Sequence, residues 1–331
     1  MTQTRKELVQ AALNKQKVDR IPVGFWFHFL PAPEQADALA RPELAAANIA
    51  GHRAFYEAFQ PDFVKLMSDG YFIYPNQGLA EINSAADFAR IRPLGKNHPW
   101  IQQQVALVKQ LQEIFGQDVL TFYNVFSPAR VLEWSLANWR QGWLGDLIAQ
   151  DKAAVKAGLE VVASDLSDLS RLVIEQGGAS GIYFSVQNIE DKRITQTVYE
   201  EIIAPVERQI LGAANKAGEN NILHICGYEG HHNDLSWYKD YEAKAYNWAV
   251  KVENIPLEEG RKIFGDKAVI GGFGNAVTDL LYRGTPAEVT AETLAILQAA
   301  GQQGVILGAD CTVPADIDLK HLEWVRQAGR I

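Results

Sequence analysis

Short apolar runs alternate with capped, amphipathic segments, a pattern that predicts an α/β chain folded as a (β/α)8 TIM barrel. Three observations carry this reading. Eight runs rich in Val, Ile, Phe or Tyr recur along the 331 residues, each apolar on both faces as buried parallel strands are. Segments with helix start and stop signals separate most of them. No linker, low-complexity tract or clear repeat divides the chain, so residues 1–331 are expected to form a single barrel domain. A doubly wound open sheet is the alternative architecture.

The elements follow in order. "TRKELVQAALNKQ" begins with a capping box, Thr4 with Glu7 three residues on. The first strand-like run is "IPVGFWF" from Ile21 and the second "DFVKLM" from Asp62. "HPWIQQQVALVKQLQEIFG" reads as a helix with Pro99 in its first turn and Gly116 at its end. The third run, "VLTFYNV" from Val119, precedes the longest insertion, about residues 127–178. That insertion is helical in pattern and is expected to form a lid or helical hairpin over the barrel. "GIYFSV" from Gly181, "NILHIC" from Asn221, "AYNWAV" from Ala245 and "AVIGGF" from Ala268 are the next four runs. "TPAEVTAETLAILQAAG" has Thr285 as cap, Pro286 in the first turn and Gly301 past the end, and "GVILGA" from Gly304 is the eighth run.

Composition narrows the function. Apolar content of 47% and charged content of 21% are ordinary for a globular protein. A net charge of −9 argues against a nucleic-acid partner. No stretch approaches the roughly 18 apolar residues of a membrane span, and the first residues lack the apolar core of a signal peptide. Two cysteines do not make a disulfide framework, so a cytoplasmic location with both thiols reduced is expected.

In a barrel the chemistry gathers where strands end. Those ends carry His28, Ser68 with Asp69, Ser127, Gln187, Cys226, Lys251 with Glu253, Asn275, and Asp310 with Cys311. Both cysteines therefore fall at one face. His224 and Cys226 are two apart on a strand and point to the same side. Taken singly, each would be read as a small core residue. Together with Cys311 they form a Cys2His set, which suits a zinc ion with one open position. The loop histidines His231 and His232 read as solvated groups, with a substrate contact as the other reading. Asp69 is an acid/base candidate or a cap. "GGFGNAV" has Val277 where a dinucleotide fingerprint needs glycine or alanine.

The chain resembles the uroporphyrinogen decarboxylase superfamily along nearly its full length. "RKELVQAALNKQKVDRIPV" is similar to that family's opening helix and first strand. "VKLMSDGYFIYP" resembles the segment with the decarboxylase's essential aspartate, which maps to Asp69. "FGDKAVIGGFGNAVTDLLYRGTPAEV" and "GVILGADCTVPADIDLKHL" resemble its seventh strand and helix and its eighth strand and closing loop. True decarboxylases carry an arginine-bearing motif after the first strand; the matching "FWFHFLP" has His28 and no arginine. The zinc-dependent branch, which moves a methyl group from a corrinoid to a thiol, carries His-x-Cys and a distant Cys. These map to His224, Cys226 and Cys311, with Glu253 nearest to that branch's displaceable fourth ligand.

The resemblance implies zinc as cofactor and methylcobalamin as donor. Asp69 and His28 are the catalytic candidates; Ser127, Gln187, Asn275 and His231 are the candidates for substrate binding. No Asp-x-His-x-x-Gly signature is present, because Ile222 stands where aspartate should, so the donor is expected on a separate corrinoid protein or as a small molecule. A small thiol is the other partner, a homodimer is admitted, and neither nucleic acid nor membrane is expected. Two alternatives stay open: a metal-free decarboxylase working through Asp69, and a non-enzymatic barrel that binds a metal or a corrinoid partner.

Overall fold

Seven parallel strands follow one another around a curled sheet in strict chain order. They are β1 (Phe63–Leu66), β2 (Leu120–Phe126), β3 (Gly181–Val186), β4 (Ile222–Ile225), β5 (Ala245–Trp248), β6 (Ala268–Phe273) and β7 (Val305–Ala309). Nearly every residue in them is buried, as strands covered on both faces require. The computed structural model describes residues 3–32, 35, 37–79, 82–136, 140–188 and 191–330.

The first expected run departs from the prediction of a ladder strand. It contributes a single bridge, Val23 to Leu307. Two local causes are visible. Pro22 has no N–H to give. The N–H of Val23 is taken by the Asp62 carboxylate at 2.8 Å instead of by a strand carbonyl. The segment nevertheless closes the barrel. Leu307 donates to the Pro22 carbonyl and Gly24 donates to the Leu307 carbonyl, both at 2.9 Å, and Asp62 donates to the Val23 carbonyl at 3.1 Å. Gly24 is required there by close approach, since a Cβ would lie 1.9 Å from the Phe63 ring.

The helices lie outside the sheet. They are α1 (Arg5–Leu13), α2 (Glu43–Phe59), α3 (Pro99–Phe115), α4 (Pro128–Ser135), α5 (Trp143–Glu175), α6 (Gln196–Ile202), α7 (Ala204–Ala217), α8 (Val250–Glu253), α9 (Leu257–Ile263), α10 (Leu280–Arg283), α11 (Pro286–Ala300) and α12 (Leu319–Ala328). The expected signals are in place: capping boxes from Thr4 and Thr285, and a helix from Pro99 that stops at Gly116. The expected helical insertion is α4 and α5. Within α5 the backbone leaves helical geometry at Asp151, whose carboxylate accepts from the N–H groups of Ala153 and Ala154 and so caps the second stretch. Among the described residues, no helix is long and apolar enough to cross a membrane.

Candidate metal centre

β4 and β7 bring their ends together at the C-terminal face of the barrel. His224 points inward from β4, and Cys226 follows one step past the strand, its N–H bonded to the Val186 carbonyl at 2.9 Å. Cys311 follows β7, where the N–H of Asp310 donates to the Phe273 carbonyl at 2.7 Å. The Asp310 carboxylate in turn accepts from the Lys251 N–H at 2.8 Å, tying this loop to α8. The sulfurs of Cys226 and Cys311 are 3.8 Å apart, and the Cys311 sulfur lies 3.6 Å from His224 Nε2. All three ligand atoms fall within 4.8 Å of one another. A tetrahedral zinc with bonds of about 2.3 Å to sulfur and about 2.0–2.1 Å to nitrogen would space its ligands by about 3.8 Å (S to S) and about 3.5 Å (S to N). The donor set and its spacing fit such an ion.

The imidazole is oriented from behind. His224 Nδ1 lies 2.5 Å from the Asn247 side-chain oxygen. The Asn247 amide nitrogen donates to the carbonyls of Ile270 (2.9 Å) and Ala309 (3.3 Å), which settles which end of the amide faces the ring. Nδ1 is therefore the protonated nitrogen, and the Nε2 lone pair turns toward the two sulfurs. Asn247 is buried in the "AYNWAV" run, where periodicity marks it only as a strand residue. Its signal was an amide in the middle of an otherwise apolar strand.

The two thiols titrate as a pair. The Cys226 S–H donates to the Cys311 sulfur, and that bond pulls Cys311 well below its ordinary pKa. The same bond, with burial, pushes Cys226 up. A metal entering here displaces the remaining proton.

A cavity of about 600 Å³ opens beside the cluster. His28, Lys65, Gln187, His224, Cys226 and Cys311 line it, with an aromatic wall of Phe72, Phe126 and Trp134. Phe72 stacks on Trp134 at 4.9 Å between centroids, and Phe126 meets Trp134 edge-on at 4.6 Å. Trp134, Arg130 and Glu133 come from α4, so the insertion supplies a wall of the site.

The remaining candidates divide into groups that reach the cavity and groups that brace it. His28 reaches it, its Nδ1 held 2.8 Å from Asp69. Asp69 is fully buried and also accepts from the N–H groups of Phe29 (2.7 Å) and Leu30 (3.3 Å), so it stands behind His28 and does not line the cavity. Ser127 lines the cavity and caps α4. Gln187 and His231 line it as well. The Gln187 oxygen accepts from Arg130, and its amide nitrogen is buried with no partner among the described residues. Asn275 braces: its amide donates to the Thr312 carbonyl at 3.0 Å, next to Cys311.

Glu253, mapped as nearest to a fourth ligand, does not join the three-atom cluster. Both its oxygens accept from the Asn233 N–H at 2.9 Å, and Asn233 donates from its side chain to the Cys226 carbonyl at 3.0 Å. Here the carboxylate fixes the loop that follows Cys226.

Lys65 was not marked by the sequence reading. It projects from β1 into the barrel, 5% exposed, with its ammonium 4.5 Å from the Tyr183 ring centroid and 5.1 Å from that of Trp26. Burial pushes it down to about 8, while the sulfurs of Cys311 and Cys226 and the Asp69 carboxylate act in the opposite sense. A lone lysine within "DFVKLM" carries no periodic signal.

The sequence model of the uroporphyrinogen decarboxylase (URO-D) family matches residues 75–330. The chain belongs to the URO-D family. No match is found among curated protein sequences. Among solved structures, this URO-D chain is similar to a methyltransferase from Methanosarcina mazei, at 16% identity and a TM-score of 0.69, over 98% of each chain. It is also similar to a B12-independent methionine synthase from a Shewanella species, at 12% identity and a TM-score of 0.61, over 94% of this chain and 97% of that one. A Listeria monocytogenes protein assigned as a vitamin-B12-independent methionine synthase shares the fold at 12% identity and a TM-score of 0.54, over 95% and 98% of the two chains.

Proposed function

We propose that this URO-D family chain is a zinc-dependent methyltransferase that passes a methyl group from a corrinoid donor to a thiol. The observation that carries the reading is the spacing of His224 Nε2 and the two cysteine sulfurs, with Asn247 fixing the imidazole tautomer. Zinc bound there would keep one position for a substrate thiol and lower its pKa, so that it binds as thiolate. The chain's own groups account for the rest. His28, held through Nδ1 by Asp69, turns Nε2 to the cavity and accepts the proton that the thiol gives up. Phe72, Phe126 and Trp134 form an apolar wall that would limit water at the transfer. With such a donor the thiolate sulfur would take the methyl carbon, and the electron pair of the carbon–cobalt bond would stay with the donor. The likeness in fold to a methyltransferase and to methionine synthases agrees with this reading.

The decarboxylase alternative is weakened by two features. Asp69 is walled off behind His28. Of the cations in the cavity wall, Arg130 is already paired with Glu133 at 2.9 Å, which leaves too little positive charge for a substrate with many carboxylates. Negligible decarboxylation of uroporphyrinogen is expected, read as product formed over hours; turnover like that of a genuine decarboxylase would overturn the assignment.

The imidazole support gives a further prediction. Asn247→Leu removes the acceptor from His224 Nδ1 and is expected to weaken zinc binding about 10–100-fold. Competition with a chromophoric chelator measures it, and unchanged affinity would refute the role given to Asn247. The reading as a whole is tested by cobalt substitution. A suitable thiol should strengthen the sulfur-to-cobalt charge-transfer band and accept methyl from methylcobalamin. Metal bound with no response to any thiol in a broad panel would favour the non-enzymatic barrel.

A further inference from the structure

Helix α2 lies against the end of β1, and its buried stripe is Leu44, Asn48, His52, Phe55 and Phe59. Leu44, Phe55 and Phe59 are what a packed helix face requires; the two polar members stand opposite residues 67–69. There the ladder with β2 has ended at Leu66, and the buried backbone needs other partners. α2 supplies them. The Asn48 amide nitrogen donates to the carbonyls of Met67 and Asp69, both at 2.9 Å. His52 Nε2 accepts from the Met67 N–H at 3.0 Å, while Nδ1 donates to the Asn48 carbonyl at 3.0 Å. Burial pushes His52 down to about 4, so the ring is neutral and Nε2 keeps the lone pair this bond needs. The Asn48 side-chain oxygen is buried with no partner among the described residues, so the amide is spent on its two donors alone. The same helix reaches the segment of His28. The His52 ring lies 4.2 Å, centroid to centroid, from Phe29, and a Cβ on Gly51 would lie 2.6 Å from the Phe29 side chain. Phe29 follows His28 in the chain, and its N–H is one of the donors to Asp69.

We propose that Asn48 and His52 are positioning residues for His28. They hold the backbone at Met67 and Asp69 so that the Asp69 carboxylate keeps the His28 proton on Nδ1 and leaves Nε2 open to the cavity. The tautomer stands on these hydrogen bonds alone; its consequence for methyl transfer rests on the role given to His28 above. A free imidazole side chain favours the proton on Nε2. Once Asp69 is loosened, His28 returns to that form, and Nε2 then has no lone pair to accept a proton.

The test is imidazole nitrogen NMR on full-length protein at about pH 8, where an ordinary histidine is neutral. The His28 signals are assigned by their loss in His28→Gln. Wild type is expected to show a protonated Nδ1 and a bare Nε2. In Asn48→Leu and His52→Leu the signals should move toward the opposite tautomer. Methyl transfer should slow by about 10–100-fold in both, with thiol binding at the metal little changed. Asn221→Leu controls for lost stability. Asn221 is equally buried and braces backbone at the opposite end of the barrel, accepting from the Ile182 N–H at 2.9 Å and donating to the Gly218 carbonyl at 2.7 Å. It should destabilise the fold and leave the His28 signals in place. If Asn48→Leu does not fold, His52→Leu and the wild-type tautomer decide. A wild-type proton on Nε2, signals that neither variant moves, or an equal movement in Asn221→Leu overturns the proposal. A tautomer that moves as expected in a protein that transfers no methyl group supports the positioning and removes the methyltransferase reading.

Discussion

Cys311→Ser is expected to yield a folded protein that has lost most of its metal. The Cys311 sulfur is the link in the cluster, 3.8 Å from the Cys226 sulfur and 3.6 Å from His224 Nε2. A serine hydroxyl at that place is a poor zinc ligand at neutral pH, where it keeps its proton. The loss should exceed the roughly 10–100-fold cost of removing an outer hydrogen-bond partner, and methyl transfer should fall with it. The barrel should survive, because its strands and helices bury a core that needs no metal to form. Cys226→Ser should behave in the same way. Metal analysis with far-ultraviolet circular dichroism separates loss of metal from loss of fold, and full occupancy in both variants would contradict the ligand set. The pH dependence has a definite sign. Both sulfurs would bind metal as thiolates, and the shared hydrogen bond together with burial holds the proton on Cys226. Lowering the pH returns protons to the site, so metal retention falls toward acid and does not fall as pH rises through neutrality. Dialysis across a pH series checks this.

The second large effect concerns the closure of the barrel. Asp62 is wholly buried and accepts from Arg20 through both oxygens, at 2.7 and 2.5 Å, while one of them also takes the Val23 N–H at 2.8 Å. Asp62→Ala leaves the Arg20 guanidinium and the Val23 N–H without this partner where residues 22–24 join β7 to β1. Arg20 keeps a quarter of its side chain exposed, so the cost falls below that of stranding a fully buried charge; a loss of about 2–3 kcal/mol is expected in denaturant unfolding, from the guanidinium and the Val23 N–H left without this partner. Glu201→Ala is the control. Its pair with Lys152 lies on the surface at 2.6 Å, and its removal is expected to leave denaturant unfolding nearly unchanged. Equal effects from the two variants would remove the role given to Asp62.

These two sites mark what the sequence could and could not disclose. Seven of the eight runs are strands, because apolar residues on both faces and flanking caps report burial and punctuation directly. The first run has the same composition and forms one bridge, because Pro22 and the distant Asp62 carboxylate decide its hydrogen bonding. Periodicity does not encode a partner some forty residues away. His224, Cys226 and Cys311 were legible through rarity and spacing: two cysteines, both at strand ends, and a histidine two residues from one of them. Lys65 and Asn247 were not, since a single polar residue inside an apolar run is averaged away. Their importance comes from what the curled sheet sets opposite them, the Tyr183 ring in one case and His224 in the other. Asp69 and Glu253 show the reverse. Both were noticed as acids near strand ends, and in the structure each spends its oxygens on neighbouring donors, Asp69 on His28, Phe29 and Leu30, and Glu253 on Asn233. Position at a strand end marks a carboxylate as near the cavity and leaves its donors to be set by the fold.

The central claim is a zinc ion held by two sulfurs and one imidazole with a position left for a thiol. X-ray absorption at the zinc edge, recorded on purified full-length protein before and after adding each of a broad panel of small thiols, tests it most directly. The account predicts two sulfur scatterers at about 2.3 Å, one imidazole nitrogen at about 2.0–2.1 Å and a light fourth atom, with a third sulfur replacing that atom when a suitable thiol is added. A shell without two sulfurs, or one that every thiol leaves unchanged, would contradict it.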